Sequence, residues 1–311
     1  MRRLAALLLL LGSVATASAA EHDPAYEFID LTDDFARFFD STQSLAEADR
    51  IAAFRKDFVP LFPQFYGPER FTDVPADRYD ARIARALARF PSIRGNYTRT
   101  AAAFQDMLRP ALTTFRNALP GLKSLPTIYL VHSLGEMDGG TRTLDDKLYL
   151  IFGADVMASM HRFSDEQPFL HHELFHVYHQ QYFAECPQVW CALWTEGLAV
   201  YAAKQLNPQA DDAQLLLTQP EPIRPQVDKH LRESVCAVAS RLDSDRAEDI
   251  DALFSFRRLD ERVPPRAGYY IGMLVAQQAG TRQSLSELAQ LDATAVRRTV
   301  QQSLDALAKC E

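Results

Sequence analysis

Residues 171–179 read His-His-Glu-Leu-Phe-His-Val-Tyr-His and contain an H-E-x-x-H motif, formed by His172, Glu173 and His176. The motif requires a helix, because residues i and i+4 then share one face and both imidazoles can reach a single ion. Apolar residues at three-to-four spacing predict that this helix is buried along a neighbouring face. Such a motif is typical of a zinc site in which the glutamate is the general base. The sequence therefore predicts that His172 and His176 bind one Zn²⁺ ion and that Glu173 accepts a proton.

A catalytic zinc ion has three protein ligands and one open position, so a third ligand is needed. His179 lies about 10 Å along a straight helix from His172, which is too far for both to share the ion. A metzincin motif is excluded, because it needs histidine at position 182, where the chain has Tyr182. Glu196 is the better candidate, because a carboxylate in an apolar helical segment is costly to bury unless it is paired or binds a metal. The predicted ligands are therefore His172, His176 and Glu196.

Two segments, H-E-L-F-H at 172–176 and W-T-E-G-L-A-V-Y at 194–201, together resemble the gluzincin class of metallopeptidases. More narrowly, they are similar to a bacterial family of zinc-dependent proteases that also includes gliding-motility lipoproteins. The resemblance extends to G-Y-Y-I-G at 268–272 and loosely covers residues 120–280. It implies a mostly helical fold with a small sheet edge over the metal.

The chain departs from this family pattern in two places. Val200 stands where some gluzincins have an aspartate that supports a ligand histidine, and no cysteine precedes Cys186 to carry a lipid anchor. Within the third segment, Tyr269 or Tyr270 could donate a hydrogen bond to the oxyanion of a tetrahedral intermediate. The alternative for both tyrosines is amphipathic packing on a core helix.

The start of the chain has two arginines, an apolar stretch at 4–14 and small residues at 15–20. This order is typical of a secretory signal peptide, and the apolar stretch is too short to span a bilayer stably. We therefore predict a signal peptide at residues 1–20, a periplasmic or secreted protein, and no stable membrane insertion. Loss of two arginines would change the formal net charge from −8 to −10, which argues against nucleic acid and anionic membrane surfaces as partners.

The predicted fold class is mainly α with a small β-sheet, an α+β arrangement. Residues 126–131 and 147–152 are rich in β-branched and aromatic residues and predict two strands, of which the second could pair with an extended peptide through its edge. Pro110 is expected to bend or break a helix. Periodic apolar residues predict helices over 28–39, 44–61, 77–90, 99–119, 167–183, 188–206, 225–241, 266–279 and 293–308.

The predicted organisation is an N-terminal helical region, residues 21–120, and a zincin-like catalytic region, residues 121–311, packed as one unit. Arg82, Arg85 and Arg89 share one face of a predicted helix, which favours a solvated surface. Four cysteines in an exported chain indicate disulfides, and three connectivities are possible. The short separation of the first pair favours Cys186 with Cys191 and Cys236 with Cys310.

The sequence thus predicts an exported zinc metallopeptidase that hydrolyses peptide bonds in a peptide or protein substrate. The alternative is a zinc-containing binding or assembly protein of the cell envelope without proteolytic activity. A di-iron bundle would need a second E-x-x-H motif, and a serine hydrolase of the α/β type would need G-x-S-x-G; the sequence has neither. Cleavage specificity and oligomeric state are not predicted.

Overall fold

The computed structural model describes residues 26–71, 75–161 and 166–310. The signal peptide predicted for residues 1–20 lies outside these residues. Most of the described residues are helical, and four short strands form one sheet. The predicted fold class, mainly α with a small β-sheet, is confirmed at this level.

The sheet has the strand order β1-β2-β4-β3. Strands β1, β2 and β4 are parallel to one another, and β3 runs antiparallel to β4. All five residues of β2 are buried, which accounts for its continuous apolar character, because parallel strands are usually covered on both faces. The four strands are β1 (Phe28–Asp30), β2 (Thr127–Val131), β3 (Gly139–Leu144) and β4 (Lys147–Gly153).

Strands β3 and β4 form a hairpin that the sequence pattern did not predict. Its turn consists of Asp145 and Asp146, with φ of +48° and +60°, the positive values that a type I′ turn requires. Strand β3 was missed because Gly139 and Gly140 at its start are poor strand formers and signal a turn. The expectation that residues 147–152 offer a free edge is wrong, since β4 lies between β2 and β3; strand β3 forms the edge.

Three short segments with 3-10 or π-helical turns, Phe54–Phe58, Val59–Leu61 and Pro68–Phe71, interrupt the helices before the first long helix. None of the helices described is long and apolar enough to cross a membrane. The helices are α1 (Thr32–Thr42), α2 (Glu47–Ala53), α3 (Pro63–Tyr66), α4 (Ala76–Ala118), α5 (Ala154–Met160), α6 (Gln167–His179), α7 (Val189–Leu206), α8 (Ile223–Lys229), α9 (Leu231–Ala239), α10 (Ala247–Phe254), α11 (Ala267–Ala279), α12 (Leu285–Ala289) and α13 (Ala293–Leu307).

Helix α4 joins two predicted helices into one helix of 43 residues. Pro91 and Pro110 both lie inside it, so the helix is not broken at Pro110, which was one of the two outcomes predicted there. Phe90, Phe104 and Phe115 are fully buried along this helix. Burial of each such side chain stabilises by about 1.5–3 kcal/mol, which helps to offset the roughly 3 kcal/mol that each of the two interior prolines costs.

An aromatic cluster around Phe35 joins the N-terminal part to the sheet. The ring centroid of Phe35 lies 5.5 Å from that of Phe58, 5.0 Å from that of Phe90 and 3.8 Å from that of His132, which follows β2. Strand β1 pairs with β2, and α4 packs against α5 and α6. The N-terminal helices therefore support the helix that carries the H-E-x-x-H motif.

Two disulfides link Cys186 with Cys191 and Cys236 with Cys310. The Cα atoms of the two pairs are 5.7 and 5.4 Å apart, within the usual range for disulfides. The connectivity favoured by the sequence is therefore confirmed. The first disulfide ties the connection between α6 and α7 to the first turn of α7, and these two helices carry the candidate metal ligands.

Candidate metal centre

Helix α6 places the two motif histidines on one side of a cleft. Pro168 lies in its first turn, where the missing amide hydrogen is tolerated, and Leu174 is buried against the core. His172 and His176 both line the cleft, one helical turn apart. The helix predicted from the motif is confirmed, and its polar face is the one directed to the cleft.

Helix α7 packs against α6 and brings Glu196 to the same place. The Nε2 atoms of His172 and His176 are 3.0 Å apart. The Oε2 atom of Glu196 lies 3.4 Å from Nε2 of His172 and 3.5 Å from Nε2 of His176. The structure therefore brings together the three side chains that the sequence singled out as ligands.

The three separations fit one tetrahedral zinc ion. Zinc binds imidazole nitrogen and carboxylate oxygen at about 2.0–2.2 Å, so two ligand atoms of a tetrahedral ion are about 3.3 Å apart. The observed separations, 3.0, 3.4 and 3.5 Å, lie on both sides of that value. Two histidines and one glutamate are also a ligand set that catalytic zinc sites use.

The electrostatics of the three groups also suit a cation. Burial disfavours a charge on His176, but the carboxylate of Glu196 outweighs burial and raises the pKa of His176 to about 9. Burial likewise works against the charge of Glu196, but His176 and His172 hold the pKa of this carboxyl well below its usual range. The site therefore keeps a carboxylate charged next to two imidazoles and favours positive charge between them.

Close contact between α7 and helix α11 fixes the position of Glu196. A Cβ atom at Gly197 would lie 2.1 Å from the backbone carbonyl carbon of Gly272, and a Cβ atom at Gly272 would lie 2.4 Å from the carbonyl oxygen of Leu193. The two backbones can approach this closely only because both positions are glycine. Tyr269, one turn before Gly272 on α11, is thereby held at the same cleft as Glu196.

The structure separates the two tyrosines that the sequence left as alternatives. Tyr269 lines the cleft, and its ring centroid is 6.4 Å from that of His172. Burial and then the charge of Glu196 raise the pKa of Tyr269 well above its usual value, so its hydroxyl stays protonated and can donate. The hydroxyl of Tyr270 instead donates to Oδ1 of Asp228 at 2.9 Å, so the assignment of Tyr270 to the site is wrong. Successive helix residues point about 100° apart, which is why one tyrosine reaches the cleft and the other does not.

Glu173 lies beside the ligands and beneath strand β3. Its side chain is buried, and a Cβ atom at Gly139 would lie 3.2 Å from its Cγ atom. A Cβ atom at Gly140 would lie 3.9 Å from its Oε2 atom. Burial raises the pKa of Glu173, although His172 and His176 oppose the shift. A carboxylate with a raised pKa accepts a proton more readily, as a general base must.

The remaining histidines of the motif region are buried and point away from the ligands. His171 accepts a hydrogen bond at Nδ1 from the Asn207 amide at 2.8 Å, and its Nε2 lies 3.1 Å from the carbonyl oxygen of Ala111. His179 is 2% exposed, and burial followed by the charge of His176 lowers its pKa to about 3. The ring of His179 stacks on that of Phe183 inside the core, with the two centroids 5.0 Å apart, so His179 does not line the cleft.

A second polar group, formed by Asp138, His161 and Glu166, lies beside the cleft and was not predicted from the sequence. Nδ1 of His161 lies 2.7 Å from Oε2 of Glu166, and its Nε2 lies 3.3 Å from Oδ2 of Asp138. Burial opposes a charge on His161, but hydrogen bonds to the two carboxylates raise its pKa to about 9. Asp138 lines the cleft, and its carbonyl accepts from Gly153 at 2.9 Å. The group therefore anchors the start of β3 next to Glu173. No short motif marks it, because its members come from separate elements.

The charged imidazole of His161 is expected to make stability depend on pH above neutrality. Its pKa is about 9 in the folded protein, against 6.5 for an unperturbed histidine, so the folded state holds the proton more tightly. This stabilisation is complete below about pH 6.5 and is lost as the pH rises through about 9. Between about pH 7 and 9, the free energy of unfolding should fall by about 2 kcal/mol more in the unmodified protein than in His161→Gln. Urea unfolding at each pH measures this, and equal slopes for the two proteins would contradict a charged His161.

The cleft that contains the ligands has a volume of about 600 Å³. Strand β3 lines one side of it through residues 139–143, and α6 and α7 line the other. Arg266 and Tyr269 also line the cleft, and the guanidinium of Arg266 lies 4.6 Å from the ring centroid of Tyr269. The cleft thus combines a sheet edge, three candidate metal ligands, a buried carboxylate and a phenol that can donate.

Comparison of the chain with protein-family models, with curated proteins and with solved structures finds no match.

Proposed function

We propose that the protein is an exported zinc metallopeptidase of the gluzincin type with a zincin-like catalytic region. The observation that carries the proposal is the convergence of His172, His176 and Glu196 at separations of 3.0–3.5 Å, which suit one tetrahedral zinc ion. The two disulfides support export, because such bonds persist in oxidising compartments such as the periplasm or the extracellular space.

In this proposal each side chain of the cleft has a distinct task. His172, His176 and Glu196 hold the zinc ion, which when bound polarises a carbonyl group and makes a coordinated water more acidic. Glu173 accepts the proton of the attacking water and passes it to the leaving amine. The Tyr269 hydroxyl, which its environment keeps protonated, donates to the oxygen that becomes negative in the transition state.

The position of strand β3 favours a peptide as the substrate. It is the edge of the sheet next to β4, and it lines the cleft with its glycine-rich start above Glu173. An edge strand has backbone N–H and C=O groups free to pair with an extended chain. A peptide paired with β3 would have a backbone carbonyl next to the side chains of His172, Glu173 and His176.

Zinc binding should depend on Glu196 and not on a carboxylate at the rim of the cleft. We expect Glu196→Gln to weaken zinc affinity by about 100-fold, because a neutral amide replaces one of three ligands. The matched control is Glu185→Gln, which makes the same change at an exposed residue lining the same cleft. Competition with a zinc-responsive dye measures both constants. Equal zinc affinity of the two variants would remove Glu196 from the ligand set.

The activity itself is tested with the purified zinc-loaded protein and a diverse peptide library, with and without a chelator. The proposal expects cleavage that the chelator abolishes and that added zinc restores. Zinc binding without cleavage of any peptide would instead favour a zinc-containing binding or assembly protein of the cell envelope.

A further inference from the structure

A second cavity, of about 500 Å³, lies apart from the metal centre. Among the described residues, its lining shares no member with the cleft that holds the candidate ligands. Helix α4 forms one wall and contributes four arginines, Arg78, Arg82, Arg85 and Arg89. We call this set the arginine row.

The arginine row follows the helical repeat. The spacings of four, three and four residues keep all four side chains on one face, over a length of about 16 Å. The sequence pattern favoured a solvated surface for the last three arginines. Arg85 and Arg89 are exposed as expected, whereas Arg82 is only partly exposed, and the structure places all three around a cavity.

Three of the four arginines have no carboxylate partner within the described ranges. Arg82 forms a salt bridge of 3.2 Å with Glu136, whereas the structure shows none for Arg78, Arg85 or Arg89 among residues 26–71, 75–161 and 166–310. Neighbouring guanidinium groups repel one another, so four arginines on one face are unfavourable without an anion nearby. The protein as a whole is acidic, with a formal net charge of −8, so this positive surface differs from the rest of the chain. The cavity therefore carries positive charge that an external anion can neutralise.

The one carboxylate that lines the cavity, as far as the described residues show, is already bound by the backbone. Oδ1 of Asp155 accepts from the Ser133 amide at 2.6 Å, and its Oδ2 accepts from the Gly135 amide at 2.8 Å. One carboxylate against four arginines leaves the lining of the cavity with an excess of positive charge. His132, which also lines the cavity, accepts at Nδ1 from the Leu134 amide at 3.2 Å, so the proton is on Nε2.

That second nitrogen of His132 is buried and has no hydrogen-bond partner among the described residues. The residue is 2% exposed, and burial lowers its pKa, so the ring is neutral. A buried N–H without an acceptor costs about 1–3 kcal/mol, and an oxygen atom of a ligand or a water would satisfy it. Because Nε2 is closed off from the open space of the cavity, an anion there would be held by the arginine row and not by His132.

The rest of the cavity lining is aromatic and apolar. Phe71 and Tyr79 line it beside Ala86, Ile93 and Leu134. A cavity of this size holds one small ligand, and an apolar wall with a few polar groups at one side suits a ligand with a charged and an uncharged part. Guanidinium groups bind phosphate oxygens through paired hydrogen bonds, which makes phosphate the anion that such a row recognises best.

We propose that this cavity binds a small ligand in which a phosphate group is joined to an apolar or aromatic body, with the phosphate held by Arg85 and Arg89. The site lies outside the metal centre and does not depend on the peptidase proposal. The same chemistry belongs to a soluble phosphate ester and to the headgroup region of a phospholipid, and the experiment distinguishes these two sources.

The test uses calorimetry of the purified full chain with 1-naphthyl phosphate, and with 1-naphthol as the ligand without phosphate. We expect saturable binding of the phosphate ester to one site and none of the naphthol. The double variant Arg85→Gln/Arg89→Gln should weaken binding by about tenfold or more, because it removes charge-assisted hydrogen bonds. Both side chains are exposed, so the variant should unfold at the same temperature as the unmodified protein.

The matched control is Arg109→Gln, which removes the same charge from an exposed position of α4 outside the cavity lining. Sedimentation with phosphatidylglycerol vesicles, compared with phosphatidylcholine vesicles, tests the lipid source with the same variants. Arginine-dependent binding to either probe supports the proposal and names the source. The proposal is overturned if the protein binds neither probe, or if Arg109→Gln loses as much affinity as the double variant.

Discussion

Replacement of Glu173 by glutamine is expected to lower peptide hydrolysis by about 10³- to 10⁴-fold while zinc still binds. The amide keeps the size of the side chain, and Glu173 is not one of the three groups whose atoms converge on a common point. What the amide cannot do is accept a proton. The turnover rate of a cleaved peptide and the zinc content of the same preparation measure the two effects separately.

Glu185→Gln is the matched control for this experiment. Glu185 also lines the cleft, but it is exposed, and it lies in the connection after α6. The same chemical change there should alter turnover by less than about twofold, because removal of one exposed charge is a weak perturbation. Unchanged turnover in Glu173→Gln, with zinc present, would show that Glu173 is not the base.

Gly197→Ala is expected to destabilise the protein by about 3 kcal/mol or more. Its new methyl group would lie 2.1 Å from the backbone carbonyl carbon of Gly272, and a backbone atom cannot turn aside as a side chain can. The helices α7 and α11 must separate, and Glu196, the preceding residue, would move away from the two histidines. Chemical unfolding measures the loss of stability, and zinc affinity should fall in the same variant.

Gly95→Ala makes the same substitution where the structure leaves room. Gly95 is exposed in helix α4, and the nearest atom to an added Cβ is the Nη1 atom of Arg99 at 3.9 Å. Alanine should therefore stabilise the protein by about 0.5–1 kcal/mol, because glycine is a poor helix residue. The two variants are expected to have effects of opposite sign. A loss of less than about 1 kcal/mol in Gly197→Ala would contradict the close contact of the two helices.

The ligands of the candidate site could be predicted from the sequence because the motif carries its own geometry. Histidines at i and i+4 are on one face of any α-helix, so His172 and His176 needed no knowledge of the rest of the fold. Glu196 was found by its chemistry, as a carboxylate in an apolar helix. Its distances to the histidines depend on how α6 and α7 pack, which only the structure provides.

Other parts of the site depend on tertiary contacts and left little signal in the sequence. Gly139 and Gly140 look like a turn, yet they start the edge strand because Asp138 anchors it and Glu173 lies beneath it. The choice between Tyr269 and Tyr270 rested on which side of α11 faces α7. That orientation is set by the contact of Gly197 with Gly272, which no local pattern predicts.

In the helices before the sheet, too, one part of the structure could be predicted from the sequence and another could not. Their apolar periodicity was enough to predict that this region is helical. It was not enough to predict that α4 runs without a break past Pro110, because the phenylalanines that hold the helix in place are buried in a core formed by distant parts of the chain. Strand β1, at Phe28–Asp30, was predicted as helix, since its strand conformation comes from pairing with β2 a hundred residues later.

The most direct measurement is the zinc anomalous signal in a crystal of the purified protein. We expect one zinc ion for each chain, with Nε2 of His172, Nε2 of His176 and a carboxylate oxygen of Glu196 each about 2.0–2.2 Å from it. Zinc bound to other side chains, or a crystal grown with zinc in which these three side chains bind none, would show that they are not the ligands.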